Sequence, residues 1–105
     1  MTMIDCEFVG FIPDDFLDLY LDAVVRRVAD QAPYDSNTRA RVERVGERGF
    51  SAKIEVQAQA GAFRAEAFAP DPKHAIDRAE DEIFRELEHW RRGRFREDAD
   101  GNEAA

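Results

Sequence analysis

Residues 65–92 read AEAFAPDPKHAIDRAEDEIFRELEHWRR. In this stretch the period of the chain changes from two to three-and-a-half. Ala65 and Ala67 alternate with Glu66, as on a strand with one face covered. Asp71 is a natural helix cap and Pro72 a natural first helical residue, because proline's fixed φ suits the first turn and its missing N–H is not needed there. Ile76, Ala79, Ile83, Leu87 and Trp90 then recur at helical spacing, with Ala75 and Phe84 alongside. The spacing predicts a helix from Asp71 to about Arg94, with Arg91, Arg92 and Arg94 at its negative end.

Working back from there, Phe50, Ala52, Ile54, Val56 and Ala58 alternate with Ser51, Lys53, Glu55 and Gln57, the clearest strand pattern in the chain. Ala60-Gly61 turns it into the strand of residues 62–69, where Phe63, Ala65 and Ala67 share one face. Phe68 points the other way, either exposed on the uncovered sheet face or closing the helix end. Before these, Ala40, Val42 and Val45 mark a strand with room for a bulge, joined through the hairpin-like Gly46-Glu47-Arg48-Gly49. Ala32 to Asn37 is turn chemistry. Pro13 starts an earlier helix to about Gln31, with Phe16, Leu17, Tyr20, Leu21, Val24, Val25 and Val28 on its apolar face. Met3 to Phe11 reads as the first strand. The expected fold is α+β, in the order β-α-β-β-β-α, with a four-stranded sheet and two helices packed on one face.

At 105 residues and 44% hydrophobic content there is material for one core. A single domain is expected over residues 1–96. Residues 97–105, acidic and small, are expected to form a disordered tail. Cys6 is the sole cysteine, so it reads as a small residue on a strand and suits a reducing compartment. With no signal-peptide pattern and no apolar run of membrane length, the expected location is the cytoplasm, without a membrane partner.

Chemistry of the catalytic kind has little to rest on. His74 and His89 stand fifteen residues apart with no cysteine between them, which is wrong for shared metal ligation. Asp77 and Asp81 fall on one helical face, but Arg85 follows Asp81 at the favoured ion-pair spacing. There is no glycine-rich phosphate loop and no serine or cysteine nucleophile in a recognisable motif. No enzyme, cofactor, metal or small-molecule substrate is expected. The formal charge of −8 argues against indiscriminate adhesion to nucleic acid. It is unevenly placed: residues 1–35 hold eight acids and two bases, residues 36–70 four and six, residues 71–96 seven and seven, and residues 97–105 four acids. Asp14, Asp18, Asp22, Arg26 and Asp30 fall at four-residue steps, a mostly acidic stripe.

The element order, the Ala65-Glu66-Ala67 strand end and a helix carrying Ala75-Ile76-Asp77, Asp81-Glu82-Ile83 and Glu86-Leu87 resemble the ribosome hibernation promoting factor and ribosome-associated inhibitor family. The resemblance in order spans about Met3 to Arg94, and its specific part is Ala65 to Leu87. It implies a short form, without the extra module by which longer members pair ribosomes. It also implies binding to rRNA in the decoding region of the small ribosomal subunit, where tRNA and mRNA would otherwise sit. Glu82 stands where the family's helix has a lysine, Glu86 where it has a glutamine, and Glu88 and His89 where basic residues follow. The bases the two helices would present to RNA are Arg26, Arg27, Arg78, Arg85, Arg91, Arg92 and Arg94. The rival reading is an acidic interaction domain of the same fold, engaging a basic protein partner or a second copy of itself. A continuous positive strip across both helices would favour the first reading, and a continuous acidic face the second.

Overall fold

The computed structural model describes residues 3–59 and 61–104, with side chains through residue 93. Its elements are β1 (Met3–Val9), α1 (Asp15–Gln31), β2 (Asn37–Val45), β3 (Gly49–Ala58), β4 (Gly61–Ala69) and α2 (Pro72–Ala104). The sheet order is β1-β2-β3-β4. Because α1 carries the chain back across the sheet, β1 and β2 pair in parallel, while the hairpins make β2–β3 and β3–β4 antiparallel. The expected α+β order and both helices on one face are what the structure has.

Register explains why one face is apolar. Cys6 lies opposite Ala40, Ala40 opposite Ile54 and Ile54 opposite Ala65, so a single cross-sheet row is small or aliphatic throughout. The neighbouring row, Phe8, Val42, Ala52 and Ala67, is apolar throughout. Alanines on the central and last strands let the helices approach closely. Leu21, Val24, Val25 and Val28 come down from α1, and Ala75, Ile76, Ala79, Ile83 and Leu87 from α2, all buried. Burying a side chain of the Val, Leu or Ile type stabilises by about 1.5–3 kcal/mol, so this layer is the main source of the fold's stability. Trp90 packs edge-on against Phe63, ring centroids 5.7 Å apart, closing the rim beside β4. Cys6 is half-buried on edge strand β1 beneath α1.

Several expectations need correction. α1 begins at Asp15, not Pro13: Asp14 is its cap, and the Asp14 side chain accepts from the Leu17 N–H at 2.7 Å. Pro13 and Asp14 both suit a helix start, and the capping hydrogen bond places the first helical residue two positions later. Phe16 does not belong to the buried face; it is 61% exposed, stacked on half-buried Tyr20 at 5.8 Å. It lies at the margin of the stripe, beyond what α2 covers. β2 has no bulge: its register with β3 is unbroken from Asn37 to Val45, and Val45 is exposed. The turn that follows is tight because Gly46 sits at φ +68°, a left-handed conformation that suits glycine. α2 is assigned to Ala104 rather than to about Arg94. The expected acidic tail over residues 97–105 falls outside the residues whose side chains are described.

Candidate functional site

Of the seven arginines drawn from the sequence, the six whose side chains are described do not form one strip. Arg26 pairs with Asp22 at 2.9 Å on the side of α1 away from α2. Arg27 reaches across to α2, where Nε donates to Glu80 at 2.9 Å. Arg91 crosses the same seam in the other direction and donates to the Gln31 carbonyl at 2.7 Å and to the Gln31 side chain. It thereby satisfies a carbonyl left open at the C-terminal end of α1. Near the start of α2 the Tyr20 hydroxyl donates to Asp77, which also takes Lys73 at 3.1 Å. That hydrogen bond, then burial, raises the Tyr20 phenol above its ordinary pKa. Three polar clasps thus run along the seam between the helices, and two of the candidate arginines are spent in them.

Arg78, Arg85 and Arg92 are a different group. They recur every seven residues, two turns of helix, so they fall in one row on α2 about 10 Å apart. All three are exposed or nearly so. Arg78 donates to the Phe68 carbonyl at 2.8 Å, fixing the row's first member to the edge of β4. Arg92 pairs with Glu88 at 2.8 Å. Arg85 makes no ion pair among the described residues; the helical spacing from Asp81 permits one without compelling it. Arg78 and Arg85 line a shallow groove with Phe68, Glu66, Asp81 and Glu82. Phe68 is 57% exposed there, which decides the alternative left open by strand alternation: it stands on the uncovered face. The side chain of Arg94 lies outside the described residues.

Asp71 caps α2 as expected. It accepts from the His74 N–H at 2.8 Å and contacts the His74 ring. The backbone hydrogen bond first, and the ring contact second, hold the Asp71 carboxyl below its ordinary pKa. His74 is therefore part of a helix cap. Among the described residues no three of His, Cys, Asp and Glu are placed to share a metal ion.

The outer face of the sheet carries Arg39, Arg41, Lys53 and Arg64 in a near-neutral lattice. Arg39 faces Asp5 at 3.7 Å, Arg41 faces Glu7 at 3.8 Å, and Lys53 and Arg64 both approach Glu55, at 3.2 and 3.6 Å. Arg44 is turned to the Gly46 and Glu47 carbonyls of the β2–β3 turn. Such exposed pairs each stabilise by at most about 1 kcal/mol, but they leave the face without a dominant sign. The solvent side of α1 is acidic, with Asp15, Asp18, Asp22 and Asp30 against Arg26 and Arg27. Among the described residues neither a continuous positive strip nor a continuous acidic face across both helices results. The helix layer is divided, acidic over α1 and alternating in charge over α2. No described helix is long and apolar enough to cross a membrane.

No family model matches the chain, and no curated protein matches it in sequence. Solved structures do match. The N-terminal domain of Protein Y from Thermus thermophilus aligns with a TM-score of 0.70 at 20% identity, over 86% of this chain and 99% of that one. A ribosomal subunit interface protein from Coxiella burnetii aligns with a TM-score of 0.71 at 14% identity, over 87% and 98%. The chain therefore shares its fold, over nearly the whole of each, with a Protein Y N-terminal domain and a ribosomal subunit interface protein.

Proposed function

We propose that this chain is a non-catalytic, ribosome-associated factor of the hibernation type, which holds the small subunit idle by occupying the decoding region against rRNA. The observation that supports this reading best is the likeness of fold, over 86 and 87% of this chain, to two proteins, one of them called a ribosomal subunit interface protein. It agrees with the resemblance carried by the residues Ala65 to Leu87. The surface assigned to rRNA is the outward row of α2, Arg78, Arg85 and Arg92, with Phe68 beside it. Arginine suits phosphate because its planar fork donates two hydrogen bonds at once. The acids between them, Asp81 and Glu88, limit the attraction to chains of phosphates that follow the row, consistent with a protein whose net charge is negative.

Occupying a site needs affinity and shape, not bond making. Binding there excludes tRNA and mRNA sterically, and release follows when counterions compete for the arginines. The test is a variant with Arg78→Glu, Arg85→Glu and Arg92→Glu, measured for small-subunit binding over a range of salt. Loss of binding is expected, and single Arg→Ala changes should each lower the salt slope by about one. Unchanged binding by the triple variant would overturn the assignment of this row. Protection of decoding-region rRNA nucleotides from hydroxyl radicals by the wild-type protein checks the location, and protection elsewhere on the subunit would contradict it.

A further inference from the structure

The first base in the chain is Arg26; the residues before it hold six acids. Four of those acids, Asp14, Asp15, Asp18 and Asp22, gather about the first half of α1. Beside them, on the flank toward α2, lies an apolar strip that the core does not use. Ile12 is 95% exposed, Phe16 61% and Leu19 71%, and Ala23 is exposed in line with them. Phe16, Leu19 and Ala23 are spaced by three and four residues, so they share one solvent-facing side of the helix. Single exposed apolar residues are ordinary on a protein surface, but a row of them on one helix side, bordered on one flank by carboxylates, marks a contact surface.

The rim is not neutralised from within. Arg26 takes one carboxylate, Asp22, whereas Asp15 and Asp18 have no ion pair among the described residues. Lys73 of α2 is held by Asp77 and sits 5.0 Å over the Tyr20 ring. The local field is felt by Cys6 beneath: burial, then Asp22, Asp5 and Asp18, push its thiol up to about 11.

We propose that this strip docks an amphipathic, lysine- or arginine-rich helix of a protein partner. The partner's apolar residues would lie on Ile12, Phe16 and Leu19, and its cations against Asp15, Asp18 and Asp22. Charge chooses this occupant over the others. Phosphate chains and anionic lipid are repelled by the same carboxylates. A second copy docked by the same strip would bring two acidic rims together around a twofold axis. A basic helix alone satisfies both the apolar strip and its rim. The surface lies on α1, apart from the arginine row of α2, so it stands whether or not the chain binds ribosomes.

The test uses the full chain and a synthetic helical peptide with leucines at alternating three- and four-residue steps and lysines elsewhere, beside a scrambled peptide of the same composition. Amide chemical shifts are followed in the labelled protein. The helical peptide is expected to move the amides of Ile12 to Ala23 and to bind about tenfold more tightly than the scrambled one. The double variant Phe16→Ser and Leu19→Ser, both at exposed sites, should keep its circular dichroism spectrum and lose about tenfold in affinity. Asp15→Asn with Asp18→Asn should weaken binding and flatten its salt dependence. Equal affinity for the scrambled peptide, no binding, shifts confined to other elements, or unchanged binding by the double variant would each overturn the proposal. So would a wild-type dimer in sedimentation that the double variant lacks, since that gives the strip to a second copy.

Discussion

α1 and α2 lie side by side on one sheet face, built by the same rules toward the core and by different ones toward solvent. Each is capped by an aspartate, Asp14 and Asp71, whose side chain takes a backbone N–H of the first turn. Each buries a stripe of aliphatic residues. On the outside α2 alternates bases and acids, Arg78, Asp81, Arg85, Glu88 and Arg92, whereas α1 shows Phe16 and Leu19 among aspartates. The inward faces are constrained by packing, where a methylene too many or too few is felt. The outward faces are free of that constraint, so the difference between them is where function is written.

The largest expected effect that could break this comparison is at neighbouring leucines of α1. Leu21→Ala, at a buried site, is expected to cost about 2–5 kcal/mol, and Leu19→Ala, at an exposed one, within about 0.5 kcal/mol. Denaturant unfolding of both variants decides it, and equal costs would mean that α1 is packed on both sides. Next come the caps. Asp14→Ala and Asp71→Ala should each cost about 1 kcal/mol in the same assay. The Asp71 cap carries a pH signature as well. Its carboxyl is held low in the folded state, so its contribution is present above the ordinary carboxylate range and lost as pH falls through the lowered value. Asp71→Asn, which keeps a capping oxygen, should retain most of the stability near neutrality and flatten the acid limb.

Smaller still are the clasps of the seam. Tyr20→Phe removes the donor to Asp77 and is expected to cost about 0.5–1.5 kcal/mol. Because the Tyr20 phenol is raised, that contribution is present below the ordinary tyrosine pKa and is lost as pH rises through the raised one. Alkaline unfolding of wild type and variant should therefore converge. Arg27→Ala opens an exposed pair with Glu80 and should cost about 0.2–1 kcal/mol, less at high salt. A cost above that of Leu21→Ala would show that the seam, rather than the sheet, holds the helices in place.

What the residues disclosed in advance follows the same division. β3, β4 and the cap and stripe of α2 were legible because alternation, Asp71-Pro72 and the Ile76 to Leu87 spacing are local signals. Phe16 was not, because a residue at the margin of a stripe is covered or bare according to what α2 brings alongside. The arginines were legible one by one, and so was the spacing that joins Asp22 to Arg26 and Glu88 to Arg92. The same spacing from Asp81 to Arg85 gave no pair, since exposed pairs gain too little to compel their geometry. Arg27 with Glu80 and Arg91 with Gln31 join residues 53 and 60 positions apart, and no local pattern reports such contacts. Their effect is to draw two of the seven candidate bases, Arg27 and Arg91, into the seam, apart from the row of Arg78, Arg85 and Arg92.

The most direct test of the central claim is sedimentation of the purified protein with small subunits and whole ribosomes through sucrose gradients at two salt concentrations. The account expects the protein to travel with the small subunit at low salt and to be released at high salt, as phosphate contacts require. A protein that stays at the top of the gradient at low salt would contradict it.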